Sequence, residues 1–411
     1  MSQARAVTAP LRHPDFRRLV TGRTFAEFGN AVAPVALAFA VLDLTGSAID
    51  LGLVVGARSL ANMVLVLFGG VLADRLPRSV ILQGTETAAA LTQAAIAVSV
   101  LGGFASIPLL LGLSVANGAV SAIALPASSS IVPQTVPTTL LQQANALNRM
   151  LANTGRFAGA AAGGVLVAAF GSGWAIGANA GLFLVAALAY RRLRTAPVER
   201  SGRSRPFTEL AEGWREFRSR TWLWVVVLQF MIVNAAASGG IFVLGPAIAD
   251  ETFGRAGWGL VLAAETAGWV LGGVLAAHWR PNRALAIGVA LVLCNAIPLL
   301  VLAEAPNLVL LVIVMMLTGG AIELGAVAWD VSMQENVPAD KLARVYSYDV
   351  LGSIIAVPLG QMAVGPLAEH WGREPVLLSG AALIVVATLF ALCSKQVRGL
   401  RRLAPVEPAS P

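Results

Sequence analysis

Residues 69–78 read GGVLADRLPR, and residues 272–281 read GGVLAAHWRP. Five letters return after 203 positions, but Asp74 of the first copy becomes Ala277 in the second. Each copy closes a long apolar run with two glycines and a turn. A second echo supports a duplication: VPTTLL at 136–141 and VPADKL at 337–342 share V-P-x-x-x-L at an offset of 201. GGVL also occurs at 163–166, so the string alone carries little in a chain with 41 glycines. Agreement of offset and of position within each half identifies the repeat.

The surroundings of the repeat are built for lipid. Of 411 residues, 57% are hydrophobic and 12% charged, with a mean hydropathy of +0.75; soluble domains carry about 25% charge. A helix needs roughly 20 apolar residues to cross the hydrocarbon. Backbone polar groups must be satisfied internally there, so such runs are helices. Twelve occur, near 17–43, 49–73, 79–101, 106–127, 143–169, 174–190, 222–248, 256–278, 284–303, 307–329, 344–367 and 375–393. The pattern predicts an all-α membrane protein with twelve transmembrane helices in two pseudo-symmetric six-helix bundles. These are residues 1–190 and 221–394, joined by a linker at 191–220 and followed by a tail at 395–411. In the linker Phe207, Leu210, Trp214 and Phe217 recur at helical spacing, which fits an amphipathic surface helix or a solvated linker with helical tendency.

The basic residues test that count. The N-terminus holds Arg5, Arg12, Arg17 and Arg18, the second-to-third connection holds Arg75 and Arg78, and nine Args fall within 191–220. Arg280, Arg283, Lys341, Arg344 and the tail residues Lys395, Arg398, Arg401 and Arg402 fall on the same side. Opposite loops hold Arg255 and Arg373. The positive-inside rule places both termini and the linker in the cytoplasm, and an odd helix number would break the alternation. The first run is interrupted by Arg23, Glu27 and Asn30, so it reads as a retained span rather than a cleavable signal core.

Several function classes lack their residues. The two Lys, Lys341 and Lys395, sit in no G-x-x-x-x-G-K-[ST] loop, which excludes ATP hydrolysis. There is no G-x-S-x-G, no H-E-x-x-H and no His in a helix centre, so no enzyme is expected. His13, His278, His370, Cys294 and Cys393 are scattered and make neither a metal set nor a disulfide framework. The net charge of +7 belongs to topology and not to nucleic acid.

Ionisable groups inside a bilayer are costly and usually line a cavity. Arg23, Glu27, Asn30 and Pro34 fall on one face of the first helix, and Arg58 and Asn62 on one face of the second. Arg149 and Arg156 are seven apart in the fifth. Glu265, Glu323 and Asp349 are single acids on the eighth, tenth and eleventh. Glu27, Asn30, Arg58, Arg149, Arg156, Glu265, Glu323 and Asp349 are therefore candidate coupling and cavity residues. A proton carrier or a static pair, such as Glu27 with Arg23, would each account for them. Glu86 reads as structural. Trp174, Trp222, Trp224, Trp258 and Trp371 near helix ends read as interface anchors.

With Gly70, Leu72, Asp74, Arg75 and Arg78 matching the signature G-x-L-x-D-R-x-G-R-[RK], the chain resembles the major facilitator superfamily over nearly its whole length. Pro77 stands where that family usually has Gly, and Ser79 where it has a base. LDLTGSAIDLGLVVGARSL at 42–60, LPASSSIVPQTVP at 125–137, QQANAL at 142–147 and RVYSYDVLGS at 344–353 resemble bacterial drug and metabolite exporters of the macrolide and siderophore type. In the fifth helix Gly155, Gly159, Gly163 and Gly164 match a glycine motif of proton-exchanging exporters, with Ala160 in place of its Pro.

The resemblance implies a secondary transporter working by alternating access in a bacterial plasma membrane. It implies no enzyme and no cofactor; a proton gradient would drive efflux of a drug-like or secondary-metabolite compound through a monomer. It also implies that Asp74 meets the N-terminal end of the eleventh helix near Arg344, forming with Gly70, Arg75 and Arg78 a conformational latch. Carriage of a small organic anion and a non-transporting sensor remain the alternatives.

Overall fold

The computed structural model describes residues 8–73, 76–129, 131–193, 214–279 and 281–401. Six helices build the first half: α1 Pro14–Thr45, α2 Ala48–Ala73, α3 Arg78–Leu101, α4 Ile107–Ser129, α5 Leu141–Phe170 and α6 Ser172–Tyr190. Six more build the second: α7 Thr221–Glu251, α8 Arg255–His278, α9 Ala284–Glu304, α10 Leu308–Asn336, α11 in two pieces (Ala339–Ile354 and Val357–Trp371), and α12 Arg373–Cys393. Among the described residues, ten of these are long and apolar enough to cross a membrane; α3 and α5 complete the two sixes. One end of the molecule carries the arginine-rich segments. The other is called here the opposite end.

The repeat is legible in the backbone. Pro137 and Pro338 are both extended and each precedes a helical segment. Gly171 and Gly372, again 201 apart, both turn at positive φ (85° and 90°) immediately before α6 and α12. Only glycine takes that conformation cheaply, and the turn lets the next helix start at once at the opposite end.

Proline sets the irregularities. Pro298 lacks an N–H and frees the carbonyl four residues back. That carbonyl, of Cys294, lies in a 3₁₀ segment and accepts from Thr318 Oγ1 at 3.2 Å. Pro358 breaks α11 at Ile355–Ala356 in the same way, and Asn234 Nδ2 donates to the nearby Ser353 carbonyl at 2.9 Å.

Lipid tails are as apolar as leucine, so helices associate in a bilayer through close packing of small residues. The glycines of α5 show this. A Cβ on Gly155 would lie 2.6 Å from the Thr24 carbonyl oxygen, and one on Gly163 would lie 3.2 Å from the Val32 Cα. Gly159 faces the Phe28 carbonyl between them. Gly164 points elsewhere, where a Cβ would meet the Gly259 Cα of α8 at 2.8 Å. The motif thus joins α5 to α1 on one face and to the other half on the next.

Two of the tryptophans differ from the sequence expectation. Trp174, Trp224 and Trp371 are exposed, as anchors would be. Trp258 is fully buried against Gly245, whose missing Cβ leaves room for the indole, and Trp222 packs edge-on against Trp329. Position near a helix end does not say which way a ring turns.

Candidate functional site

All six helices of the first half contribute to one polar cavity of about 270 Å³. Four of the candidate residues meet in it: Glu27 and Asn30 from α1, Arg58 from α2 and Arg156 from α5. Pro34 frees the Asn30 carbonyl on this face of α1. Glu27 is held by a two-pronged ion pair, Arg156 Nε to Oε2 at 2.7 Å and Nη2 to Oε1 at 3.1 Å. Arg23, one turn before Glu27, stands farther off at 3.9 Å. The guanidinium fork matches both carboxylate oxygens, a geometry that makes such pairs strong and rigid. Arg58 Nε donates to Asn117 Oδ1 at 3.0 Å, and Asn117 in turn donates to Thr92 Oγ1 at 3.2 Å, which ties α2, α4 and α3 together.

The other candidates lie outside this cavity. Arg149 on α5 and Glu323 on α10 are close enough to interact electrostatically across the two halves. Asp349 is buried within the second half, accepting from Trp329 Nε1 at 3.0 Å and from Ser353 Oγ at 3.4 Å. Glu265 has no hydrogen bond or ion pair among the described residues. The proposed latch lies largely outside the described residues: Asp74 and Arg75 fall there, as does the side chain of Arg344. Gly70 lies in the last turn of α2, and Arg78 begins α3. Phe207 and Leu210 of the amphipathic linker also lie outside.

Sequence reasoning took Glu86 as structural and missed two further features. Glu86 and Tyr190 line the cavity beside Glu27. A signal for Glu86 existed, since Glu86 and Gln93 are seven apart and both buried. The other missed feature joins the halves at the opposite end. Arg255, starting α8, pairs with Asp43 of α1 at 2.6 Å and with Asp250 of α7 at 2.7 Å. Its guanidinium stacks over Phe39, 5.0 Å from the ring centroid. Ser172 Oγ adds a 2.7 Å bond to Asp43. Nearby, a Cβ on Gly365 of α11 would come within 2.7 Å of the Ile49 Cα on α2. Among the described residues, ion pairs and close glycine contacts join the halves at this end.

The described end of the linker, helical over 214–219, is fastened to α11. Glu216 accepts from Lys341 Nζ at 2.9 Å and from Arg220 Nε at 2.9 Å. Arg220 also donates to the Asn336 carbonyl. Phe217 is buried, with Trp214 and Tyr348 packed around it. The Lys341 and Arg220 hydrogen bonds hold the Glu216 carboxyl below its ordinary pKa. A depressed carboxyl adds stability above its unfolded pKa, and that stability is lost as pH falls through the folded value. Acidification below about pH 4 should therefore release this brace. Glu216→Gln should release it at neutral pH. Fluorescence quenching of an otherwise Trp-free variant retaining Trp214 measures both. Unchanged quenching in Glu216→Gln would show that the ring cluster alone holds the linker.

The model of the family described as transmembrane secretion effectors, a major facilitator group, matches residues 5–405. The chain belongs to that family. Among curated relatives it is 25% identical over 396 residues to the multidrug efflux pump Tap of Mycolicibacterium fortuitum, covering 90% of this chain and 93% of the relative. It is 24% identical over 405 residues to the enterobactin exporter EntS of Salmonella typhimurium, covering 97% and 96%. Two solved structures share the fold. One is a bacterial homologue of the human lysosomal transporter Spinster (TM-score 0.72, 17% identity, 97% of this chain and 100% of that one). The other is the nucleoside transporter NupG (TM-score 0.73, 14% identity, 92% and 98%). Membership makes the protein a secondary transporter, related to exporters, and not an enzyme.

Proposed function

We propose that this transporter exports a drug-like or secondary-metabolite compound in exchange for protons, as a monomer in the bacterial plasma membrane. Both termini and the linker lie in the cytoplasm on this reading, as the arginine distribution requires. The observation that carries it is the set of contacts that joins the halves at the opposite end. Asp43, Arg255 and Asp250 clamp the opposite end, which is then the outer one, while an acid–base cluster waits in the first half. That arrangement suits the state from which an exporter loads, open to the cytoplasm. The names of the relatives, a multidrug pump and a siderophore exporter, support the direction. Asp74 would close the inner end in the alternate state by meeting the start of α11, where the helix dipole favours a carboxylate.

A cavity of about 270 Å³ is smaller than the roughly 300–1,000 Å³ of drug-sized sites. The compound would therefore pass between the halves, near Arg149 and Glu323, and the first-half cavity would handle the proton. Arg149 in that path supports a second reading, carriage of a small organic anion.

The test is growth of a drug-hypersensitive bacterial host, with and without the protein, across a panel of cationic, neutral and anionic compounds. Protection should extend to at least one bulky, partly apolar compound. Purified protein in liposomes should then move that compound when a pH gradient is imposed. Protection against small anions only would favour the second reading. Flux that ignores the gradient and ionophores would refute proton coupling.

A further inference from the structure

Glu86 sits on α3 in the first-half cavity, 8% exposed, with its Oε2 buried and without a hydrogen-bond partner. Charged and titratable groups face this cavity from every helix but α4, which contributes Ser121 and Ser128. Arg23 and Glu27 come from α1, Arg58 from α2, Arg156 from α5 and Tyr190 from α6. Each of the other ions has a hydrogen-bond partner. Glu27 has both oxygens on Arg156, and Arg58 is bonded to Asn117. Arg23 is half engaged. Its Nη1 donates to the Ser128 carbonyl at 3.2 Å; its Nε is buried, makes no hydrogen bond and stands 3.9 Å from Glu27 Oε1. Tyr190 feels the charges of Glu86, Arg23 and Glu27 together, so these groups form one cluster.

An ionised carboxylate buried without a partner costs several kcal/mol, and a proton removes that cost. The same cluster holds a cation with a donor to spare, the Nε–H of Arg23, which makes no hydrogen bond. We propose that Glu86 is the proton-binding residue of this chain, neutral in the conformation described and paired with Arg23 when it is ionised. The step is an acid dissociation: the Glu86 O–H bond breaks, the proton passes to water entering the cavity, and Arg23 Nε–H donates to the carboxylate. Its transport role rests on the proton-coupled reading above; its protonation does not. Glu27, already neutralised by Arg156, is then the fixed element of the cluster and Glu86 the switching one.

The experiment is infrared difference spectroscopy of the purified full chain in lipid as pH is raised, with no substrate present. Wild type should show the carbonyl band of a protonated carboxylic acid, lost on alkalinisation. Glu86→Gln should lack that component, and Glu27→Gln should keep it. In Arg23→Gln the band should survive to higher pH, by at least about one unit, because the cation that would hold the anion is gone. This variant also keeps the test decisive if Glu86→Gln folds poorly. A band unchanged in Glu86→Gln, or one whose pH range ignores Arg23→Gln, would overturn the assignment. Liposome flux indifferent to a pH gradient, with the Glu86 band still titrating, would instead sink the coupling reading and support Glu86 as a proton site.

Discussion

Arg255→Ala is expected to open the end of the transporter opposite the arginine-rich segments. Arg255 makes the 2.6 Å bridge between halves to Asp43 and is itself aimed by Asp250 and by the face of Phe39. An isolated surface pair contributes about 1 kcal/mol or less, but several charges held in one network contribute more. Its loss should shift the balance between end states by roughly 1–2 kcal/mol, or about five- to thirty-fold. Spin labels introduced by Ser106→Cys and Ala305→Cys, at exposed positions one per half at that end, would report it in a background lacking Cys294 and Cys393. Arg255→Ala should lengthen the distance distribution. Arg373→Ala should not, because Arg373 pairs with Glu251 inside one half. Asp74→Asn, which weakens the proposed latch at the arginine-rich end, should leave the labels close. A distribution unmoved by Arg255→Ala would mean that the glycine contacts at Gly164 and Gly365 hold this end without it.

The second large effect concerns Glu27 and Arg156. Glu27→Gln leaves Arg156, and Arg23 behind it, without the anion that neutralises them in a partly buried site. Breaking one side of a fully buried pair costs about 3–5 kcal/mol; with Arg156 40% exposed, about 1–3 kcal/mol is expected here. Transport should fall at least tenfold. The double variant Glu27→Gln/Arg156→Gln removes both charges and should recover most of the stability, measured by thermal unfolding in detergent. It should not recover flux of the compound found by the growth panel. Should flux return with stability, the pair is a structural brace and nothing more.

Much of the site was legible before the fold, for a particular reason. Charges are costly in lipid, so Glu27, Asn30, Arg58 and Arg156 stood out against apolar runs, and all four line one cavity. Their pairing was not legible. Arg23 lies at the helical spacing that favours a bond to Glu27, yet Arg156, 129 residues away, makes the closer one. Glu86, near a helix end, was read as structural and not as a cavity acid. Arg255 was counted only as an exception to the charge asymmetry.

The sequence by itself determined the helix number, the two-fold repeat and the family. Each of these depends on local quantities: the length of an apolar run, the spacing of prolines and glycines, and the side on which arginines fall. The bilayer enforces them one segment at a time, because every span must satisfy its own backbone. Only the tertiary structure decided which charges meet. Whether Glu27 finds Arg23 or Arg156, and whether Glu86 finds any partner, depends on how α1, α3, α5 and α6 are rotated about their axes. Gly155, Gly159 and Gly163 let α5 approach α1 closely and so bring Arg156 to Glu27. That contact belongs to the packing of two helices more than a hundred residues apart, and no local pattern in either one contains it.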